Sequence, residues 1–242
     1  MIIFVKIGQG IRYVWMVMNL FWNILRVIRV LLLRKDLENW YQKEVPIWAY
    51  YFLSVYGGVL DVKGKELLKD IDWNRDVFFI SNHQSYLDIP ALIAAVGRKI
   101  GFIAKIKLKR IPLMKFWMRQ LGCILISNKY TFSFSKEFIQ EKTKTNQKHL
   151  VLFPTGTRSK NGKLGKFKKG GLKILWDTKP IIVPVIVKGS RSAVENRKAI
   201  FAKFPITVEF LEPVDLVNNP PDLNFKAWIT ELESSITEHL NL

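Results

Sequence analysis

Residues Val77–Asp88 read VFFISNHQSYLD, and this stretch joins an apolar run to a polar turn and a helix start. Val77–Ile80 is short and rich in β-forming residues, which predicts a buried strand. Asp88 comes just before the apolar run 91–96, a pattern typical of a helix N-terminus. His83 therefore leaves the end of a strand on a turn, where α/β sheets place their chemistry.

His83 and Asp88 are the residue types of a general base and the carboxylate that orients it. Imidazole accepts a proton near neutral pH, and a carboxylate on its other nitrogen fixes the tautomer and stabilises the imidazolium. The same residues would also suit a polar turn that carries a surface aspartate. Taken alone, the spacing predicts a candidate catalytic pair and leaves this second interpretation open.

The charge of the chain favours an anionic partner. Its 242 residues, enough for one large domain, carry a formal net charge of +18 and 49% hydrophobic residues. Nucleic acid, an acidic protein and an anionic membrane surface all fit such a field, and composition does not choose among them. The single cysteine, Cys123, lies in an apolar run, so we expect a small core residue and no intramolecular disulfide.

The first 58 residues are strongly apolar but interrupted by charges. Up to Arg34 the longest charge-free stretch has 13 residues, residues 13–25, whereas a spanning helix needs about 20. At about 100° per residue, a narrow polar stripe faces a wide apolar surface, and the stripe consists of Arg12, Asn19, Asn23, Arg26 and Arg34. Such a helix suits a membrane interface, although a helix packed on the main domain fits the same pattern.

A second, aromatic-rich segment follows, which we expect Pro46 to break and Gly57-Gly58 to end. We therefore predict that residues 1–58 form an amphipathic two-helix membrane-docking appendage.

Residues 59–242 alternate between short apolar runs and helical stretches, which predicts an α/β domain with helices covering a sheet. The strand candidates are Val77–Ile80, Ile100–Ala104, Cys123–Ile126, Leu150–Phe153, Ile181–Val187 and Ile206–Leu211. The helix candidates are Ala91–Val96, Pro112–Gln120, Ser135–Thr145, Gly171–Asp177 and Leu223–Leu240.

Two basic clusters without acids, residues 98–119 and 158–173, lie within this domain. For most of their lysines a solvated face is the expected role. Arg158 differs, because it follows a turn in which Gly156 allows close backbone approach and Thr157 offers a hydroxyl. The planar guanidinium group of Arg158 suits a phosphate. Lys105 directly follows another strand candidate, Ile100–Ala104. Both would reach the edge that His83 occupies if these strands are parallel neighbours.

Three blocks in order carry a family resemblance: Asn82-His83 with Asp88, then FPTGTRS over 153–159, then Val183-Pro184-Val185. They resemble the ordered blocks of the glycerolipid acyltransferases. Between the first two, residues 101–126 are similar to the second block of the 1-acylglycerol-3-phosphate acyltransferases. One block alone is weak evidence, whereas these three blocks together with the segment 101–126, four in order, are a strong signal.

The resemblance implies a mixed, largely parallel sheet covered by helices, and an activity. The family transfers an acyl chain from acyl carrier protein or coenzyme A thioester to lysophosphatidic acid, making phosphatidic acid. It implies that His83 is the base, Asp88 its orienter, and Lys105 and Arg158 the ligands of the acceptor phosphate. Gly156 and Thr157 would shape the pocket. Val183-Pro184-Val185 would line the acyl chain, although a buried strand explains these three residues equally well.

The expected partners are an anionic membrane surface, lysophosphatidic acid and an acyl thioester, with no nucleic acid, no metal and no cofactor beyond the thioester. The expected location is the cytoplasmic face of the cell membrane, at the interface rather than across it. A serine acyl-enzyme is not expected, because neither serine beside His83 lies in a Gly-x-Ser-x-Gly elbow.

Three departures from the family pattern bear on the acceptor. Thr155 stands where the family usually has glutamate, and Lys115 where it usually has glycine. The second block usually ends in Ile-Asp-Arg, but here it reads Ile126-Ser127-Asn128 with Lys129 next, so the usual arginine is missing. Acyl transfer to glycerol 3-phosphate, another lysophospholipid or a lipid A precursor thus stays open. So do hydrolysis and a non-enzymatic basic module bound to membrane or nucleic acid.

Overall fold

The apolar run that precedes His83 is the central strand of a sheet. The structure is a computed structural model, and it describes residues 37–127, 133–159, 163–195 and 203–241, together with Val14 and Met18. Strand β2 covers Val77–Ser81, and all five of its residues are buried. A strand buried on both faces is typical of a parallel sheet covered by helices on both sides.

The described strands are β1 (Gly58–Lys63), β2, β3 (Gly101–Lys105), β4 (Ile124–Ile126), β5 (His149–Leu152), β6 (Ile181–Lys188), β7 (Phe204–Phe210) and β8 (Val214–Asp215). The described α-helices are α1 (Leu37–Val55), α2 (Asp88–Val96), α3 (Pro112–Gln120), α4 (Ser133–Thr145), α5 (Lys169–Thr178), α6 (Ser190–Glu195) and α7 (Phe225–Asn241). Two 3₁₀ turns cover Lys65–Leu68 and Ile106–Arg110.

These strands form one sheet in the order β1-β7-β6-β2-β5-β3-β4, and β8 pairs with β6. Strands β6, β2, β5, β3 and β4 run parallel to one another, whereas β7 is antiparallel to β6 and parallel to β1. The prediction of a mixed, largely parallel sheet is therefore confirmed. Because β2, β5, β6 and β3 share one direction, their carboxyl ends meet at the same edge.

Alternate side chains of β2 enter two hydrophobic clusters. Val77 and Phe79 face the cluster that contains α2, and Phe78 and Ile80 face the cluster beneath α5 and α7. This two-residue period is that of a pleated strand between two helix layers. Fixed on both faces, the end of β2 is a rigid support for the turn that follows it.

A proline inside β6 does not interrupt the sheet. Pro184 aligns with Ile80 of β2, but on the other side β8 pairs with residues 181–182 and β7 with residues 185–188. Pro184 lies between these two partners, so its missing N–H leaves no ladder bond unmade.

Helix α1 belongs to the domain core on one face. Tyr41, Val45, Ala49 and Leu53 recur every fourth residue and are buried in the cluster that also holds α2 and β2. The predicted break at Pro46 is wrong, because the helix continues through this residue. The buried face favours a continuous helix over the local preference of proline.

The first predicted helix lies outside the described residues except for Val14 and Met18, which are helical and exposed. The docking role of residues 1–58 therefore stays a prediction. Within the described ranges, no helix is both long and apolar enough to span a bilayer.

Candidate active site

Asn82 fixes the turn after β2 to the neighbouring strand. Its side-chain amide donates to the carbonyl oxygen of Val187 at 2.8 Å, and its Oδ1 accepts from the Val187 N–H at 2.8 Å. This pair imitates a rung of the β ladder one residue beyond β2. Asn82 is buried, so the start of the turn is held against β6 before His83 leaves the sheet.

The side chains of His83 and Asp88 are in contact in this turn. His83 Nδ1 lies 2.7 Å from Asp88 Oδ2, which also accepts from the backbone N–H groups of Gln84 at 2.7 Å and Ser85 at 2.9 Å. The turn therefore wraps around the carboxylate at the start of α2, where helix geometry favours a negative charge. With Nδ1–H donated to Asp88, Nε2 is the nitrogen left to accept a proton.

Ser190 contributes a contact that the sequence did not reveal. Its hydroxyl donates to Asp88 Oδ1, and both side chains are fully buried. Ser190 follows Gly189, whose φ of +82° is one that residues other than glycine rarely adopt; a Cβ there would lie 2.1 Å from the Pro205 carbonyl oxygen. This turn after β6 places the hydroxyl against the carboxylate.

Phe153 covers one face of the His83 ring. The ring centroids are 4.0 Å apart and the planes differ by 13°. Phe102 of β3 stacks behind Phe153 at 6.1 Å. Three neighbouring strands thus supply one aromatic stack, which holds the imidazole plane while Asp88 holds its edge. Phe153 was predicted as the end of a strand and the start of the 153–159 block, with no contact to His83.

The turn over residues 153–159 is tied directly to the turn of His83. The Ser159 N–H donates to the His83 carbonyl oxygen at 2.8 Å. Gly156 has a φ of +68°, and its N–H closes the turn onto the Phe153 carbonyl oxygen at 3.0 Å. Thr155 is buried, and its hydroxyl donates to the Thr157 carbonyl oxygen at 2.8 Å. The threonine that replaces the usual glutamate therefore acts within the turn.

A cavity of about 530 Å³ opens beside His83. The side chains around it include His83, Thr157, Arg158, Lys163 and Lys166, and the described lining residues contain no acid. The Arg158 guanidinium lies 3.7 Å from the centroid of the Tyr86 ring, which belongs to the turn of His83. The arrangement can hold an anionic group next to an imidazole.

Lys105 and Gly156 lie near this cavity without lining it in the described part of the chain. Lys105 ends β3, and β5 separates β3 from β2, so Lys105 stands two strand spacings, about 10 Å, across the same edge. The structure thus places Lys105 on the predicted edge, but not in the cavity with Arg158.

Val183-Pro184-Val185 lie inside β6, where Val183 and Val185 are fully buried.

Cys123 is buried, and burial raises the pKa of its thiol to about 12. In the part of the chain that the structure describes, no group of three or more His, Cys, Asp and Glu side chains is placed to hold a metal ion.

Comparison with known families gives the site its context. The family model described as Acyltransferase matches residues 59–188, more than half of the chain. The chain belongs to the acyltransferase family. The match includes both site turns and strands β1 to β6 and ends just before Gly189, so the acyltransferase match covers the sheet edge described above.

Named relatives of this acyltransferase share one description. The chain is 32% identical over 157 residues to the probable 1-acyl-sn-glycerol-3-phosphate acyltransferase of Mycoplasma pneumoniae, covering 60% of this chain and 59% of that protein. It is 31% identical over 147 residues to the chloroplastic 1-acyl-sn-glycerol-3-phosphate acyltransferase LPAT1 of Arabidopsis thaliana, covering 60% of this chain. The chain matches only 40% of the length of that second relative.

A solved structure shares the architecture. The crystal structure of the 1-acyl-sn-glycerophosphate (LPA) acyltransferase PlsC from Thermotoga maritima superposes with a TM-score of 0.76 at 23% identity, covering 98% of this chain and 96% of that chain. At this identity the likeness concerns the fold.

Proposed function

We propose that this protein transfers a fatty acyl chain from an acyl thioester to the free sn-2 hydroxyl of lysophosphatidic acid, making phosphatidic acid. The observation that carries the proposal is the His83–Asp88 pair, 2.7 Å apart, at a cavity whose lining includes Arg158, Lys163 and Lys166. The descriptions of the two relatives above supply the acceptor.

In the proposed mechanism, His83 is the general base. Its Nε2 takes the proton of the acceptor hydroxyl as the oxygen attacks the thioester carbon, and Asp88 stabilises the imidazolium that forms. Backbone N–H groups near the turn, other than those of Gln84 and Ser85 that donate to Asp88, would stabilise the oxyanion. Collapse of the tetrahedral intermediate forms the ester, breaks the C–S bond and returns the proton to the thiolate. A thiolate leaves readily, so the proposal needs no cofactor beyond the thioester.

Arg158 is the proposed anchor of the acceptor phosphate. Its fork can donate two parallel hydrogen bonds, and the Tyr86 ring supports the plane of the guanidinium. Lys105 would act from across the sheet edge as a more distant charge, and Gly156 and Thr157 would shape the turn. Both acyl carrier protein and coenzyme A are candidate carriers of the thioester.

We also propose that the protein works at the cytoplasmic face of the cell membrane without spanning it. A lysophospholipid resides in the bilayer, and the net charge of +18 attracts anionic lipid. This part of the proposal rests on charge and on the predicted docking role of residues 1–58.

The decisive experiment is acyl transfer from a labelled thioester to lysophosphatidic acid on vesicles. We expect wild-type protein to form labelled phosphatidic acid and His83→Ala to lose at least about a hundredfold in rate. His239→Ala is the matched control, because the hydrogen bond of His239 stays within its own helix, at the Ser235 carbonyl oxygen. Equal rates for wild type and His83→Ala would contradict the proposal.

The assay uses acyl thioesters of both acyl carrier protein and coenzyme A. A panel of other acceptors is included, because Thr155 replaces the glutamate that is usual in the family. The panel holds glycerol 3-phosphate and other lysophospholipids. Product with one of these and none with lysophosphatidic acid would keep the reaction and change the acceptor. Free fatty acid without new lipid would indicate a hydrolase.

A further inference from the structure

The segment after β3 presents an exposed surface that the acyl-transfer mechanism does not use. We define the 106–119 surface as the exposed side chains of residues 106–119, which cover the 3₁₀ turn Ile106–Arg110 and most of α3. Three of them are large and apolar: Ile106 is 43% exposed, Ile111 51% and Phe116 43%. Five exposed cations alternate with them, namely Lys107, Lys109, Arg110, Lys115 and Arg119.

The sequence around this surface is positive throughout. No acid occurs in the 48 residues between Asp88 and Glu137. Among the described residues, none of these five cations takes part in an ion pair. A fold that only needed solubility would gain nothing from exposed isoleucine and phenylalanine between unpaired cations.

The segment is held rigidly beneath this surface. Met118 is buried in the core cluster of α1 and α2, and Leu108 packs against that cluster. The ring of Trp117 meets the ring of Trp48 on α1 edge to face, with centroids 5.5 Å apart. The exposed side chains therefore point outward from a fixed support.

We propose that the 106–119 surface docks into an anionic lipid bilayer, separately from residues 1–58. Aliphatic and aromatic side chains enter the headgroup boundary, and neighbouring lysines and arginines bind lipid phosphates while their stems cover apolar surface. Nucleic acid would use the cations but not the spaced apolar side chains. The segment directly follows Lys105, at the sheet edge of His83, so docking here turns that edge toward the lipid.

The test places an environment-sensitive fluorophore on introduced cysteines in the full chain. Cys123 is the only cysteine, and it is buried with a thiol pKa of about 12, so an exposed cysteine is labelled selectively. Labels are placed with Ile111→Cys and Phe116→Cys. The control is Val217→Cys, which is 55% exposed and follows β8 at the opposite end of β6.

With vesicles of equal parts phosphatidylglycerol and phosphatidylcholine, we expect the fluorescence emission of both surface labels to shift to shorter wavelength. Brominated acyl chains in the vesicles should quench that emission. The control label should stay in water. If the protein sediments with the vesicles while the labels at 111 and 116 remain in water, another surface docks it and the proposal is wrong. Absence of vesicle binding, or a shift with acidic protein or RNA but not with vesicles, would overturn it equally.

A triple substitution measures the contribution of the apolar side chains. Ile106→Ser, Ile111→Ser and Phe116→Ser together should lower vesicle partitioning at least about tenfold. The matched variant carries Ile139→Ser, Val217→Ser and Leu223→Ser, three exposed apolar positions elsewhere, and should stay within about twofold. Equal losses in both variants would contradict the proposal, and none of these assays depends on acyl transfer.

Discussion

At the residue scale, the carboxylate of Asp88 is fully buried and accepts four hydrogen bonds, from His83, Ser190 and two backbone N–H groups. A buried charge needs such partners, because each unmade bond leaves part of its desolvation uncompensated. The orientation of His83 therefore depends also on Ser190, which is fully buried and does not line the cavity.

Replacing Ser190 tests this dependence. We expect Ser190→Ala to lower kcat about tenfold, because a hydrogen bond to a charged group is lost, and to leave KM for the acceptor unchanged. Ser190→Thr keeps the hydroxyl and should recover part of the rate. A rise in KM at constant kcat would show that Ser190 does not act through the His83–Asp88 pair.

Tyr86 offers a second residue-scale prediction. Its ring is 62% exposed and supports the Arg158 guanidinium. Tyr86→Leu should raise the acceptor KM about two- to fivefold with little change in kcat, as expected when an exposed cation–π contact is lost. Tyr50→Leu, an exposed tyrosine on α1, is the control. An unchanged KM would mean that the ring does not position Arg158.

At the scale of single elements, His149 begins β5 and donates from Nε2 to the Trp73 carbonyl oxygen at 3.0 Å. Burial lowers the pKa of His149 below the ordinary histidine value of 6.5. The unfolded chain therefore takes up a proton at a higher pH than the folded one, and stability falls as pH drops below about 6.5.

We expect the free energy of unfolding to fall between about pH 7.5 and about pH 5.5, with His149 contributing to the loss because the unfolded chain takes up a proton there that the folded chain does not. In His149→Gln this contribution should be absent, although the variant is less stable at neutral pH. Urea titrations of both proteins at the two pH values measure the difference. Identical pH dependence would exclude His149 as its source.

The sequence predicted those elements whose signal is local. The strand before His83, the turn of His83 and the Asp88 side chain follow one another within residues 77–88. The apolar pattern and the His-to-Asp spacing were therefore enough to predict them. Ser190 was missed because it reaches Asp88 only through the pairing of β6 with β2. β1 was missed because Asp61 interrupts its apolar run, and β8 because it has two residues. Pro46 misled the prediction because burial of the helix outweighed a local preference.

At the scale of the whole molecule, the boundary between docking segment and domain can be tested by truncation. Deleting residues 1–58 removes four buried core side chains of α1, so that protein should fail to fold. Deleting only residues 1–36 should leave the thermal unfolding cooperative and lower vesicle binding. Sedimentation with vesicles and calorimetry of the shorter deletion decide this. Undiminished binding would show that residues 1–36 are not needed for docking.

Strand β1 has a consequence for how the chain is synthesised. Among the described strands it pairs with β7 alone, which begins at Phe204, so the 140 residues between the two strands must leave the ribosome before β1 finds its partner. Contacts so distant in sequence close late and slowly. Until then β1 remains an unpaired edge next to an apolar N-terminus, and a nascent chain in this state would depend on early capture by a chaperone or a lipid surface to avoid aggregation.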